Sequence, residues 1–310
     1  MEKGKRLAVL VGCNYPRTKY QLHGCINDAL SMRQVLVRRF GFDPSQIELL
    51  VDEHGSSVMP TGANIKKALS RMVDEAEPGD VLFFHYSGHG TRIPSVKQVH
   101  PYRQDQAIVP SDFNLITDVD FRHLVNRLPE GATFTMLSDS CHSGGLIDKE
   151  KEQIGPSTAS SKAILLSPYK PKTIPFESVL QHLASITNID TSDIGTHLLE
   201  IFGPDASLRF QLPRLELNLL RPLWPDEGIL LSGCQANETS VDMEAVESGG
   251  KAYGAFSNAV QMVLKEDSGP LCNRDVVMRA RMLLRAQHLE QHPCLYCSDD
   301  NADAVFLLQN

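Results

Sequence analysis

The tightest constraint on the fold of this 310-residue chain is a series of short, near-continuous apolar runs separated by helix-like patterns. The runs at 7–11, 47–51, 81–86 and 134–137 are too short for free-standing helices and are bounded by Gly, Asp, Ser or Pro. Such runs read as strands. They alternate little between polar and apolar, so both faces of their sheet must be covered. Shorter runs at 229–231 and 295–296 extend the series. Between them, 27–40, 64–76, 118–128 and 253–265 carry apolar residues at helical spacing, as with Ile65, Leu69, Met72 and Val73. Alternating strand and helix predicts an α/β fold, an α/β/α sandwich around a mostly parallel sheet. Ligands of such sheets bind beyond the carboxyl ends of the strands.

Residues 155–175 break the pattern with Pro, Ser and Lys, which predicts an exposed linker. The expected organisation is one domain with three parts. Residues 1–154 form a large catalytic region, 155–227 a linker and helical insert, and 228–310 a small region. A net charge of −8 without a Lys/Arg run argues against a nucleic-acid partner. No run approaches the ~18 apolar residues of a membrane span, and the charged start is no signal peptide. Seven scattered cysteines argue against a disulfide scaffold and for a reducing compartment. Cytosol and nucleus are the expected locations, release on cell rupture is compatible with them, and the default oligomeric state is a monomer.

Two strand ends carry chemistry. One is Tyr86-Ser87-Gly88-His89-Gly90; the other is Asp139-Ser140-Cys141-His142-Ser143-Gly144. Both pass from an apolar strand into a small-residue loop. Cys141 follows His89 by 52 residues, near the ~50 of caspases. A thiolate is a strong nucleophile, and an imidazole can take its proton and return it to the leaving amine. The N–H groups of Gly90 and Cys141 are the natural oxyanion donors. Alone, a cysteine after a strand is usually a small core residue, and a histidine between glycines is usually structural. Together at matching strand ends they point to a cysteine peptidase. Asp139 shares a strand face with Cys141, where a carboxylate suits a substrate cation better than it suits a thiolate.

These two segments resemble the catalytic signatures of metacaspases. The resemblance spans nearly the whole chain. It includes Gly24-Cys25-Ile26-Asn27-Asp28, Pro60-Thr61-Gly62-Ala63-Asn64, Gly228-Ile229-Leu230-Leu231-Ser232-Gly233-Cys234-Gln235 and Tyr253-Gly254-Ala255-Phe256-Ser257-Asn258. The insert makes the chain most similar to plant type II metacaspases, and within them to the metacaspase-9 subgroup. The resemblance implies a caspase-like fold, a Cys141–His89 dyad and cleavage of protein or peptide substrates after Arg or Lys. It also implies protein inhibitors as partners, and it adds Asp28 to the pocket of Asp139. It allows Cys25 to be a second reactive thiol, although a small structural thiol fits better. A non-catalytic caspase-like scaffold is the competing reading.

Arg/Lys specificity predicts self-processing in the linker. Lys170 precedes Pro171, a poor bond to cut, whereas Lys172-Thr173 aligns with the subgroup's cleavage loop; Lys162-Ala163 is the backup. No metal or other cofactor is expected. Calcium prefers about six to eight oxygen ligands. Between 93 and 106 the chain offers Lys97, His100 and Arg103 with Asp105 the only acid, and Val119 interrupts Asp118 and Asp120. Calcium-independent activity is therefore expected, and the metacaspase-9 resemblance implies activity at mildly acidic pH. His288, His292, Cys294 and Cys297 have zinc-like spacing but read better as part of a core strand.

Overall fold

The computed structural model describes residues 4–94, 104–141, 146–147, 151–155, 169–212, 228–235, 238–245, 250–267 and 269–307. Its strands are β1 (Arg6–Gly12), β2 (Ile47–Val51), β3 (Val81–Ser87), β4 (Gly90–Pro94), β5 (Gln104–Ile108), β6 (Ile116–Thr117), β7 (Thr133–Asp139), β8 (Glu152–Ile154), β9 (Tyr169–Pro171), β10 (Ile229–Ser232), β11 (Val241–Met243), β12 (Tyr253–Gly254) and β13 (Cys294–Tyr296). The helices are α1 (Cys25–Phe40), α2 (Gly62–Asp74), α3 (Asp118–Val125), α4 (Phe176–Thr187), α5 (Ile194–Phe202), α6 (Leu208–Gln211), α7 (Ala255–Glu266), α8 (Asn273–Ala286) and α9 (Asp299–Asp303).

A seven-stranded sheet in the order β2-β1-β3-β7-β10-β13-β8 forms the centre. Neighbours from β2 to β10 are parallel; β13 and β8 add antiparallel pairings at one end. The apolar runs are continuous because successive side chains enter opposite cores. Ala8, Leu10, Val81 and Phe83 pack with α1, α7 and α8. Leu7, Val9, Leu82 and Phe84 pack with α2 and α3. Each fully buried Phe contributes about 1.5–3 kcal/mol from transfer alone. The expected α/β/α sandwich is thus present, and strands of the N-terminal and C-terminal parts share one sheet. Among the described residues, no helix is long and apolar enough to cross a membrane.

Two smaller sheets flank this centre: β4-β5-β6, and β12-β11-β9. Helices α4 and α5 of the insert bury Val179, Leu183, Ile194 and Leu198 against Ile93, Val109, Phe113 and Leu115. Here the structure corrects the exposed-linker expectation. Its last part forms β9, and both Lys172 and Ile174 are wholly buried. Ile174 is held by the third apolar cluster, and Lys172 by carboxylates. The backup site Lys162-Ala163 lies outside the described residues.

Candidate active site

The parallel register sets the site. Ser87, the last residue of β3, pairs with Asp139, the last residue of β7. Two residues beyond each lie His89 and Cys141, on adjacent strand tips. Gly12 of β1 pairs with Ser87 on its other side. A Cβ at Gly12 would come within 2.5 Å of the Cys25 carbonyl oxygen, so glycine lets the start of α1 sit on the strand tip. That start carries Asp28 over the same edge.

Asp28 and Asp139 face each other across a buried ammonium. Lys172 Nζ lies 3.2 Å from Asp139 Oδ2 and 3.5 Å from Asp28 Oδ2, and donates to Ser87 Oγ at 2.9 Å. The Lys172 and Asp139 side chains are fully buried. Buried charge survives only when it is paired and hydrogen-bonded. Ser240 Oγ donates to Asp139 Oδ1 at 2.9 Å, and the Ser257 N–H to Asp139 Oδ2 at 2.8 Å. Ser87 Oγ and the Gly254 N–H donate to Asp28. Burial works against the ammonium, but Asp139 and Asp28 outweigh it and hold Lys172 charged. Burial pushes Asp28 up to about 7, against the pull of the facing ammonium. A third acid, Asp242, stands nearby and is also raised by burial; it accepts from the His23 and Gly24 N–H groups ahead of α1.

The backbone around Lys172 lies across the strand tips. Segment β9 pairs antiparallel with β11, opposing Pro171 to Val241 and Lys170 to Asp242. The Lys172 N–H donates to the Ser240 carbonyl at 2.8 Å, and the Ile174 N–H to the Gly90 carbonyl at 3.1 Å. The Lys172 carbonyl accepts from the Gly90 N–H at 3.0 Å and the Cys141 N–H at 3.2 Å. These are the two donors expected from the sequence. Cys141 is buried, and its sulfur accepts from the Ser240 N–H at 3.1 Å.

His89 is oriented by its own set of contacts. Its Nε2 lies 2.7 Å from the Tyr20 carbonyl oxygen, which assigns the ring proton to Nε2 and leaves the lone pair on Nδ1. That Nδ1 is buried with no hydrogen-bond partner. The Tyr15 ring packs 4.7 Å away, and Tyr15 Oη accepts from the His89 N–H at 2.9 Å. Tyr86 Oη donates toward the His89 carbonyl at 2.8 Å. Burial lowers the imidazole to about 4, the Tyr20 carbonyl opposes that, and the Lys172 ammonium adds to it. No hydrogen bond joins His89 to Cys141 among the described contacts. Each instead faces Lys172, whose carbonyl takes the Cys141 N–H and whose backbone acts on the imidazole.

Residues 5–150 match the family model "Metacaspase, peptidase C14 domain". Over 318 aligned residues the chain is 62% identical to Metacaspase-9 of Arabidopsis thaliana, covering 98% of this chain and 97% of the relative. The chain belongs to the metacaspase family. This metacaspase is also 38% identical to Metacaspase-6 of the same plant, over 97% of its own length and 99% of the relative. A crystal structure of a Geobacter sulfurreducens protein, 18% identical, superposes with a TM-score of 0.61 over 97% of each chain, a likeness of fold alone. The metacaspase is a cysteine peptidase of the caspase-like kind.

Other candidate residues have structural partners. Cys25 is buried at the base of α1, and burial pushes its thiol well up, which suits a structural thiol. Cys234 is buried just past β10. His292 Nδ1 contacts Glu238 at 2.6 Å, Cys294 donates to the His292 carbonyl, and Cys297 is buried. Among the described residues no group of three or more His, Cys, Asp or Glu side chains is arranged to hold a metal. Asp120 caps α3 through the Thr117 N–H, and Asp118 pairs with Arg122. Lys97, His100 and Arg103 lie outside the described residues. Sequence reading missed the pocket serines Ser87, Ser240 and Ser257, the tyrosine pair, and Gly254. A Cβ at Gly254 would collide with Lys172 Nζ and Asp139 Oδ2 and come within 2.5 Å of Asp28 Oδ2.

Proposed function

We propose that this metacaspase cleaves peptide bonds after Lys or Arg and that its own Lys172–Thr173 bond is the first it cuts. One observation carries the reading. The Lys172 ammonium sits between Asp28 and Asp139 while its carbonyl accepts from the Gly90 and Cys141 N–H groups. A substrate's basic side chain would take the place of Lys172, with an Arg fork gripping both carboxylates. An acidic side chain would be repelled there. Protein inhibitors would offer a basic residue to the same pocket.

In the proposed reaction, His89 Nδ1 takes the Cys141 proton. The sulfur then adds to the carbonyl carbon, and charge grows on an oxygen already facing two N–H donors. Losing one such donor costs about 10²–10³ in rate. The imidazolium returns its proton to the Thr173 nitrogen as the C–N bond breaks and a thioester forms. Water, deprotonated by His89, releases the thioester. An imidazole held near about 4 stays neutral in mild acid, which supports activity there. No divalent ion enters any step.

Fluorogenic peptides ending in Arg, Lys or Asp test the reading, each run with and without chelator beside Cys141→Ala. Expected is cleavage after Arg and Lys, none after Asp, no chelator effect, and none at all by Cys141→Ala. Equal cleavage after Asp, or an active Cys141→Ala, would contradict it. In the same assay, self-cleavage should be lost as the pH falls to about 4, where His89 gains a proton.

A further inference from the structure

The insert sends Arg209 to the far end of the hairpin that begins at the proposed oxyanion donor Gly90. Strand β4 starts at Gly90 and pairs with β5 down to Pro94 opposite Gln104, with Ile93 opposite Asp105. Arg209 of α6 is almost wholly buried at that far end. Its guanidinium makes a close ion pair with Asp105 Oδ2, donates to the Pro94 carbonyl at 2.5 Å, and stands 4.0 Å from Asp118 Oδ1. Neighbouring bonds fix the same junction. The Leu208 N–H donates to Asp120 Oδ1 at 3.0 Å, and Ser207 Oγ meets Thr117 Oγ1 at 2.9 Å. One side chain thus ties β4, β5, α3 and the insert together through two carboxylates and a carbonyl.

Those are oxygen ligands of the type calcium takes. The residues present do not fit a calcium ion, because a guanidinium already lies among them. We infer that Arg209 is a built-in cation, a positioning residue that holds the β4–β5 hairpin, and through it Gly90, in working register without a divalent ion. This rests on the reading that the metacaspase works without calcium. A fixed cation neutralises buried carboxylates at every calcium concentration, so the hairpin has no ion to gain or lose. Removing it would take from Asp105 its guanidinium partner, while Asp118 keeps Arg122, and breaking one side of a buried ion pair is strongly destabilising.

The test uses the full chain with Arg209→Gln, Arg209→Lys and Arg209→Leu. Activity on an Arg-ended peptide and melting temperature are read in chelator and across a calcium titration. In chelator, Arg209→Gln is expected to fall about tenfold or more through misplacement of the oxyanion donor, and Arg209→Lys to keep most activity. Gln adds a carbonyl oxygen to the two carboxylates and Pro94. Millimolar calcium should therefore raise the activity and melting temperature of Arg209→Gln, do less for Arg209→Leu, and leave wild type unchanged. If Arg209→Gln fails to fold in chelator, calcium-dependent recovery of its melting transition is the readout. The inference is overturned if Arg209→Gln matches wild type in chelator, or if its loss is indifferent to calcium. A wild-type enzyme that itself requires calcium would instead overturn the metal-free reading, and this inference with it.

Discussion

At the scale of single residues, two carboxylates stay buried because small neighbours feed them hydrogen bonds. Ser87, Ser240 and the N–H groups of Gly254 and Ser257 together contact every carboxylate oxygen of Asp28 and Asp139. Asp139→Asn or Asp28→Asn should each lower kcat/KM on Arg-ended peptides by about 10²-fold, through loss of one partner of a buried charge pair. Gly254→Ala should raise KM for basic substrates steeply, because its methyl group would intrude on both carboxylates. A Gly254→Ala enzyme with unchanged KM would show that the pocket lies elsewhere. His85 gives a pH signature. It is fully buried beneath the pocket, with Nε2 3.0 Å from Ser257 Oγ, and burial lowers it to about 3. Below pH ~6.5 the unfolded chain binds a proton that the native imidazole refuses, so this residue draws stability down by about 1.4 kcal/mol per pH unit. The stability advantage of wild type over His85→Gln should shrink as pH falls from about 6.5 toward 4 in melting experiments. Cys141, His89 and Asp139 stood out in the sequence because they fall together at strand ends and within motifs that resemble those of metacaspases. Serines and glycines serve many, so Ser240, Ser257 and Gly254 carried no separable signal.

At the scale of elements, the proposed recognition of substrate is the addition of a strand. Segment β9 lies antiparallel to the three-residue β11, and the Lys172 N–H donates to the Ser240 carbonyl just before it. Such pairing gives affinity through main-chain bonds and specificity through side-chain pockets. A peptide N-methylated at its basic residue would lose the bond to Ser240. It should be cut at least about tenfold more slowly than its parent, given the cost of leaving a buried acceptor unmet. Equal rates would remove β11 from the account. The long strands were readable because alternating burial leaves continuous apolar runs, and the ends of the strands and helices that were read differ from observation by at most three residues; α4 and α8 were not read. Strands β9 and β11 were not. Each has three residues, and β9 sits in a Pro- and Lys-rich stretch whose burial depends on carboxylates distant in sequence.

At the scale of the molecule, the chain is folded around the segment that the proposed reaction cuts. Lys172 and Ile174 on either side of Thr173 are both fully buried, one in the acidic pocket and the other in the apolar cluster under α4 and α5. In the proposed reaction a substrate's basic side chain takes the place of Lys172, so cutting this bond and releasing β9 would precede turnover of other proteins. The sequence announced the sheet, since this rests on local apolar pattern, and its motifs supplied the dyad and the cleavage position that the proposed reaction uses. It could not announce that the Lys172 carbonyl meets the Gly90 and Cys141 N–H groups, because that arises from a loop of the insert returning to strand tips far away along the chain. The most direct test is mass spectrometry of freshly made wild type and Cys141→Ala after incubation. The account predicts a new N-terminus at Thr173 in wild type and an uncut chain in the variant. Wild type that turns over Arg-ended peptides with its Lys172–Thr173 bond intact would contradict it.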